Sequence, residues 1–311
     1  NLRRHCSILS HMKSFFYHPY WYFKTRFLGQ KKPLQTVLFV TNECNLECKH
    51  CIIYEKENII SKSYAQIREE LQYSYDLGSR FVDFEGGEPL LWRENEKNIN
   101  DLIALAHEIG FFTTTVTTNA QLPIVDLKAN SIWISMDGIG ELHDAIRGKG
   151  AFEKLEKNIS DSNHPNMHTN MVVNKINYQG IKEAVEWVEA HPKLKSIAIN
   201  LHTPFPGTES LMLTPEQRLQ VLDEVIQLKK RGAPIMNSVS GLKYMKGEIS
   251  DKYCFVSNFI QIDGTRTAEC GGKIFNLCDS CGFCMSGEMK AVMNLKPDTI
   301  IAGLKLRNKK K

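Results

Sequence analysis

The chain has 311 residues, of which 42% are hydrophobic and 24% are charged. This is the composition of an ordinary globular protein, so neither a disordered nor a fibrous protein is expected. The net charge of +4 comes without a basic stripe on a regular element or any nucleic-acid motif, which argues against specific nucleic-acid binding.

The first 35 residues form an arm that combines aromatic and basic side chains. Its aromatic residues are Phe15, Phe16, Tyr17, Tyr20, Trp21, Tyr22 and Phe23, and its basic residues include Lys13, Lys24, Arg26, Lys31 and Lys32. Such an arm either packs its aromatics on the rest of the protein or lies on a membrane surface. No window reaches the ~18 apolar residues that cross a bilayer, and no secretory leader opens the chain. We therefore expect a cytoplasmic protein, with peripheral contact at the inner face of the membrane under the second interpretation.

Residues 36–235 alternate short β-branched runs with longer segments of helical period, the pattern of repeated βα units. Strands are predicted at 36–40, 81–84, 112–117, 131–135, 167–173 and 196–201. Helices are predicted near 63–77, 97–109, 122–129, 152–162 and 180–190, and from Pro215 to about 231. The fold class is therefore α/β, and six units fit a partial (β/α)6 barrel of the TIM type. Its chemistry should lie at the carboxyl ends of the strands.

Three cysteines follow the first predicted strand in the spacing C-x3-C-x2-C: Cys44, Cys48 and Cys51. Three thiolates on one short loop can face one small object. Four-iron clusters ordinarily take four cysteine ligands, so three would leave one iron open. A zinc site with His50 as fourth ligand is the alternative, but the adjacent His50 and Cys51 would crowd one metal ion.

This cysteine loop resembles that of the radical S-adenosylmethionine (radical SAM) superfamily. The resemblance implies a [4Fe-4S] cluster whose open iron chelates S-adenosylmethionine, and reductive cleavage of that cofactor to a 5′-deoxyadenosyl radical. It also implies oxygen sensitivity and a reductant such as flavodoxin or ferredoxin. His50 stands where an aromatic residue is frequent, a variant found in the branch of sulfatase-maturating and peptide-modifying enzymes.

Further segments at predicted strand ends resemble cofactor contacts of the same family. Gly86, Gly87 and Glu88 match its GGE motif, which receives the methionine ammonium, although a simple Gly-Gly turn is the alternative. Polar residues at the ends of the third to fifth strands are expected to contact the cofactor: Asn119, Ser135, Asp137 and Asn174.

The stretch from His143 to Gly148 resembles an "HD-x-x-RG" segment of the same branch. The resemblance implies that Arg147 pairs with the cofactor carboxylate, since a guanidinium matches a carboxylate bidentately. The start of a surface helix is the alternative. At the sixth strand, Asn200, Leu201 and His202 are expected to line the adenine or the substrate.

A second group of cysteines lies in residues 236–311, which we interpret as a small C-terminal iron–sulfur domain with a basic tail. Its members are Cys254, Cys270, Cys278, Cys281 and Cys284. The region resembles a shortened SPASM or twitch domain, which implies one auxiliary [4Fe-4S] cluster held by three or four of the five. A structural zinc knuckle is the alternative. Cys6 is interpreted as an incidental thiol.

Two substrate classes stay open at this point, because one fold hosts many functions. The branch resemblance and the second cysteine group favour a peptide or protein side chain. A lipid-like small molecule is the other class, since the arm, the Lys31-Lys-Pro-Leu34 segment and the cysteine-rich end also resemble adenosylhopane synthase. A non-catalytic iron–sulfur electron carrier or zinc-binding protein would leave the barrel and Gly86–Glu88 without a purpose.

Overall fold

The computed structural model describes residues 16–54, 57–247, 253–268 and 270–307, without the side chains of residues 304–307. The interpretations of Cys6, Lys13 and Phe15, and of residues 308–311 in the basic tail, concern positions outside the described residues.

Eight strands of the described chain form one sheet in the order β6-β5-β4-β3-β2-β1-β7-β8. The strands are β1 (Gln35–Phe39), β2 (Phe81–Glu85), β3 (Thr113–Thr118), β4 (Ser131–Ser135), β5 (Met167–Val173), β6 (Leu194–Leu201), β7 (Ser257–Ile260) and β8 (Arg266–Thr267).

The described helices precede, connect and follow these strands. They are α1 (16–28), α2 (Tyr64–Leu77), α3 (Ile99–Ile109), α4 (Glu141–Arg147), α5 (Ala151–Asp161), α6 (Ile181–Ala190), α7 (Pro215–Lys230), α8 (Val239–Met245), α9 (Gly271–Ile274), α10 (Met285–Met293) and α11 (Pro297–Arg307).

Strands β1 to β6 pair in parallel, each with its neighbour in sequence. Because parallel crossovers are right-handed, this order places the connecting helices on one face of the sheet. Alternate strand residues such as Phe84, Ile132 and Ile199 are fully buried in that layer. The sheet stays open, which confirms the predicted partial barrel.

The predicted helix over 122–129 is wrong, because this segment is a loop. Leu122 precedes a proline, a position that disfavours helical geometry, and Asp126 has a φ of 53°. Side chains from α3 and from the end of α5 donate hydrogen bonds to backbone carbonyl groups of the loop instead. Asn100 donates to the Asp126 carbonyl over 3.1 Å, and Ser162 donates to the Ile124 carbonyl over 2.9 Å.

The segment after residue 235 contributes strands to the same sheet. Strand β7 pairs in parallel with β1, with Val37 opposite Phe259, and β8 pairs antiparallel with β7. The treatment of residues 236–311 as a separate domain stays a prediction.

Helix α1 packs one face against the rest of the protein, as the packed-arm interpretation expected. Trp21 is buried there beside Val256, Met289 and Met293. In the part of the chain that is described, we find no helix with the length and apolar character needed to cross a membrane.

Candidate metal and cofactor site

The loop after β1 presents its three cysteines at the carboxyl edge of the sheet. Cys44 and Cys48 are partly exposed and Cys51 is exposed. The Cys51 sulfur accepts backbone N–H groups from Ile53 at 3.4 Å and from Tyr54 at 3.3 Å. Hydrogen bonds to the ligating sulfurs are one of the features by which proteins tune iron–sulfur clusters.

Two glycines let this loop lie directly against the end of β2. The backbone N–H of Gly87 donates to the Thr41 carbonyl over 2.7 Å, and that of Glu88 donates to the Glu43 carbonyl over 2.7 Å. A Cβ atom on Gly87 would lie 2.2 Å from the Glu43 carbonyl oxygen, and one on Gly86 would lie 2.3 Å from that of Thr41. Both positions therefore require glycine.

The Glu88 carboxyl group is fully buried, and the chain itself occupies both oxygens. One oxygen accepts from the Leu90 N–H at 3.0 Å and the Thr118 hydroxyl at 2.8 Å, and the other accepts from the Asn119 N–H at 2.8 Å. Burial raises the pKa of Glu88 to about 7 against the effect of these donors. The contacts tie β2 to the end of β3, and the contact of Glu88 with the cofactor ammonium stays a prediction.

Asn119 connects the end of β3 to the cysteine loop. Its side-chain amide donates to the Asn45 side-chain oxygen over 2.8 Å and lies 3.6 Å from the Cys44 sulfur. Ser135 is partly exposed at the end of β4 and lies opposite Asn170 of β5. The structure thus brings Asn119 to the cysteines, whereas Ser135 lies on the sheet opposite Asn170.

Asp137 and Arg147 form a buried ion pair that reaches the same loop. Arg147 Nε donates to Asp137 Oδ2 over 2.7 Å, and its Nη1 lies 3.8 Å from the Cys48 sulfur. His50 Nε2 lies 3.7 Å from the same Asp137 oxygen. The Lys49 N–H donates to the Ile146 carbonyl of α4 over 2.9 Å. The "HD-x-x-RG" segment is therefore a short helix, and it holds the cysteine loop.

Electrostatics at this loop disfavour free thiolates. Burial raises the pKa of Cys48 to about 11, although the Arg147 guanidinium acts to lower it, and the neighbouring thiols and Asp137 raise it further. Burial would also raise the pKa of Asp137, but the charges of Arg147, His50 and His143 hold it below its ordinary value. A bound cation would relieve the crowding of negative charge around the three sulfurs.

The donor set fits an iron–sulfur cluster. Thiolates are the soft ligands that such clusters take, and N–H and guanidinium groups contact the sulfurs of Cys48 and Cys51. In addition, the buried His50 Nδ1 has no hydrogen-bond partner within the described residues.

Asn174 lies apart from these contacts. It is fully buried, its side-chain oxygen accepts from the Ile176 N–H at 2.8 Å, and its backbone N–H donates to the Asn177 side chain over 2.7 Å. Its side-chain amide also donates to the Val172 carbonyl of β5 over 3.4 Å, so these hydrogen bonds lie in the turn after β5 and at the end of that strand. His202 is also buried and bonds through Nε2 to the Thr208 carbonyl at 3.0 Å.

The C-terminal cysteines divide into a group of four and a fifth that is buried. Cys254 and Cys270 share a hydrogen bond, which together with burial raises the pKa of the Cys254 thiol, and Cys278 and Cys281 lie near enough to Cys254 to raise it further. Cys284 has only 2% of its surface exposed and packs in the main core. Across the described residues, no three His, Cys, Asp or Glu side chains are already arranged around one metal ion.

Sequence reasoning missed the contacts that dock this cysteine-rich segment on the end of β6. The Cys284 N–H donates to the Asn200 side-chain oxygen over 2.9 Å, and Arg218 donates to the Cys281 carbonyl over 2.9 Å. A Cβ atom on Gly282 would lie 1.8 Å from the Leu201 carbonyl oxygen. The glycine between two cysteines was the available signal, and the second cysteine group lies at the same sheet edge as the first.

Comparison with known proteins identifies related sequences. Residues 38–188 match the family model described as the radical SAM superfamily. The chain is 33% identical over 161 residues to pre-heme d1 synthase of Dinoroseobacter shibae, covering 47% of this chain and 37% of that protein. It is 27% identical over 164 residues to the mycofactocin maturase MftC of Mycolicibacterium smegmatis, covering 50% and 41%. The chain spans less than half the length of these curated relatives.

Solved structures share the fold. SuiB of Streptococcus suis, crystallised with its precursor peptide SuiA, aligns with a TM-score of 0.59 at 17% identity, covering 77% of this chain and 60% of that one. Residues 38–188, which include the C-x3-C-x2-C loop, therefore form a domain of the radical SAM superfamily, and the likeness to SuiB concerns the fold alone.

Proposed function

We propose that the chain reductively cleaves S-adenosylmethionine at a [4Fe-4S] cluster held by Cys44, Cys48 and Cys51, and modifies a peptide side chain or a polar small molecule. Radical SAM proteins use such a cluster together with S-adenosylmethionine, and the reduced cluster supplies the electron that splits the sulfonium bond. One observation carries the proposal. The cysteine loop is tied to the ends of β2, β3 and β4 by Gly87, Asn119 and Arg147.

The residues around the loop have separate tasks in this proposal. Asn119 and Arg147 approach the sulfurs of Cys44 and Cys48 and would hold the thiolates in place. Asp137 fixes the Arg147 guanidinium through the bond to Nε, which leaves its remaining N–H groups for the cluster thiolate and the cofactor carboxylate.

The sheet face opposite the helices supports a polar substrate. Its side chains bond laterally from strand to strand: Thr117 to Asp83 at 3.2 Å, and Asn200 to Asn170 at 2.9 Å. Trp133 stacks on His168 with ring centroids 5.0 Å apart. Hydroxyl, amide and carboxyl groups of this kind can also form hydrogen bonds to a peptide, whereas a hydrocarbon offers them no further hydrogen bond. The face therefore favours a peptide over a lipid-like substrate.

The comparisons support the same preference. MftC is named as a maturase, and SuiB was crystallised with a precursor peptide. The name of pre-heme d1 synthase keeps a polar small molecule as the second candidate.

Further partners complete the proposal. One auxiliary [4Fe-4S] cluster would be held by four C-terminal cysteines: Cys254, Cys270, Cys278 and Cys281. The buried Cys284 would stay outside the cluster. A reductant such as flavodoxin or ferredoxin would donate the electron. The N-terminal arm would make peripheral contact with the inner face of the membrane.

The proposal is tested with anaerobically reconstituted protein, reductant, S-adenosylmethionine and either a peptide pool or a lipid extract from cells. Mass spectrometry should detect 5′-deoxyadenosine in both, and a changed mass in the peptide pool. Modification confined to the lipid extract would reverse the substrate preference. The absence of 5′-deoxyadenosine from cluster-loaded protein would contradict the proposed activity itself.

A further inference from the structure

We propose that helix α1 docks on an anionic lipid surface through an aromatic stripe formed by Phe16, Tyr20, Phe23 and Phe27. This inference does not depend on the reaction that the protein performs. It assigns a specific face of the helix to the bilayer and fixes which edge of the sheet points toward the membrane.

The opposite face of α1 is fixed on the protein by specific hydrogen bonds. Trp21 is only 6% exposed, and its indole N–H donates to the Lys32 carbonyl over 2.8 Å. The Tyr17 hydroxyl donates to the Gly78 carbonyl over 2.5 Å. These contacts determine the rotation of the helix about its axis, so the direction of its other side chains is not free.

The aromatic stripe points outward as a consequence of that rotation. Its four residues are spaced by four, three and four positions, which places them within an arc of about 60° on a helix. Their side chains are 64%, 56%, 52% and 65% exposed, in chain order. The rings of Phe23 and Phe27 lie 5.3 Å apart. Contiguous exposed aromatics of this kind mark an interaction surface rather than ordinary surface scatter.

The charge of the sequence segment that contains the stripe favours an anionic surface as its partner. Residues 1–42 contain seven Lys and Arg residues and no Asp or Glu. The remaining 269 residues carry 32 Lys and Arg against 35 Asp and Glu. Lys24 extends over the Tyr20 ring at 5.5 Å, which places a cation beside the stripe. An aromatic stripe edged by cations on a helix is the pattern of interfacial helices that bind anionic lipid.

The position of α1 gives this docking an orientation. His18 lies 5.1 Å from Phe81, the first residue of β2, and Tyr17 lies 5.7 Å from Phe112, just before β3, between ring centroids. The helix therefore covers the amino ends of the strands, whereas the cysteine loop follows the carboxyl end of β1. A bilayer bound to the stripe would leave the cofactor edge facing water, so the helix would act as an anchor and not as an entry for lipid.

The test uses the full chain and vesicles of phosphatidylcholine alone or with about one third phosphatidylserine. We expect co-sedimentation with the anionic vesicles, weaker recovery at ~0.5 M than at ~0.05 M salt, and little recovery with the neutral ones. The double variant Phe23→Ser/Phe27→Ser should bind about tenfold more weakly or worse, because two apolar rings are removed from the buried face. Val125→Ser is the matched control, since Val125 is 65% exposed on a loop of the barrel.

The same double variant distinguishes a lipid surface from another protein chain as the partner of the stripe. Equal binding by wild type and double variant would overturn the proposal, and so would failure of the wild type to bind anionic vesicles. Sedimentation velocity without lipid tests the alternative that the stripe binds a second copy of this chain. A wild-type dimer that becomes monomeric in the double variant, without vesicle binding, would show that the stripe covers another protein chain. Circular dichroism of both variants checks that the fold is retained.

Discussion

Arg147 donates to Asp137 over 2.7 Å inside the protein, and the same guanidinium lies 3.8 Å from the Cys48 sulfur. The ion pair joins the end of β4 to α4 and places one positive charge against the cysteine loop. Removal of either partner would leave a buried charge with less compensation, which is the costly case for buried pairs.

We therefore expect Asp137→Asn to lower the free energy of unfolding by about 3–5 kcal/mol and to reduce the iron bound after reconstitution. Asp161→Asn is the control, because its pair with Lys157 lies on the surface and such pairs contribute little. Urea unfolding and iron analysis measure both effects. Equal stability of the two variants would show that the Arg147 contact does not hold the loop.

Gly87 is expected to be essential for cluster incorporation. A Cβ atom there would lie 2.2 Å from the Glu43 carbonyl oxygen, so Gly87→Ala must displace the cysteine loop from β2. Gly247→Ala serves as the control, since within the described residues no atom beyond its chain neighbours lies within 4 Å of the added Cβ. Iron content per chain should fall in Gly87→Ala and stay unchanged in Gly247→Ala. Normal iron content in both would contradict the close packing of the loop.

Substitutions of the C-terminal cysteines should differ in their effect on the iron content of the protein. Cys270 shares a hydrogen bond with Cys254, whereas Cys284 is buried in the core. We expect Cys270→Ala to lose about half of the total iron, since a four-iron cluster takes up to four cysteine ligands. Cys284→Ala should keep the iron while losing some stability. Loss of iron in Cys284→Ala would move that residue into the ligand set.

Acid should destabilise the metal-free protein. Burial lowers the pKa of His143 and of His168 to about 4 each, whereas an unfolded histidine titrates at about 6.5. Below pH ~6.5 the unfolded state therefore binds more protons, and the free energy of unfolding falls as the pH is lowered toward 4. Each histidine contributes up to about 1.4 kcal/mol per pH unit.

The measurement compares urea unfolding at pH 7 and at pH 5 for wild type and His143→Asn. Asparagine keeps an acceptor for the Asp137 N–H, which bonds to His143 Nδ1 over 3.2 Å. The variant should lose less stability between the two pH values than the wild type. An identical loss would mean that His143 is not the group that titrates.

The local pattern of residue types was sufficient to predict much of the fold. The six strands predicted between 36 and 201 are all present, because alternating or continuous β-branched runs occur between clear breaks. The helix predicted at 122–129 failed because its backbone groups bond to Asn100 and Ser162, which come from other elements. No local signal indicated that β7 pairs with β1, about 220 residues away.

The candidate site was predictable in part for the same reason. The spacing of the cysteines and of Gly86–Glu88 is local, and the structure brings these residues together. The roles of individual side chains depend on contacts between distant residues. Glu88 accepts hydrogen bonds from three groups of the chain, and Asn174 bonds to the turn after β5 and to the Val172 carbonyl of that strand. Neither arrangement is visible in a motif.

The central claim is that Cys44, Cys48 and Cys51 hold the cluster that cleaves S-adenosylmethionine. The most direct measurement is the yield of 5′-deoxyadenosine from anaerobic, reduced protein supplied with S-adenosylmethionine, in wild type, Cys48→Ala and the control Cys6→Ala. We expect wild type and Cys6→Ala to form 5′-deoxyadenosine and Cys48→Ala to form none above the protein-free background. Formation of 5′-deoxyadenosine by Cys48→Ala at the wild-type level would contradict the claim.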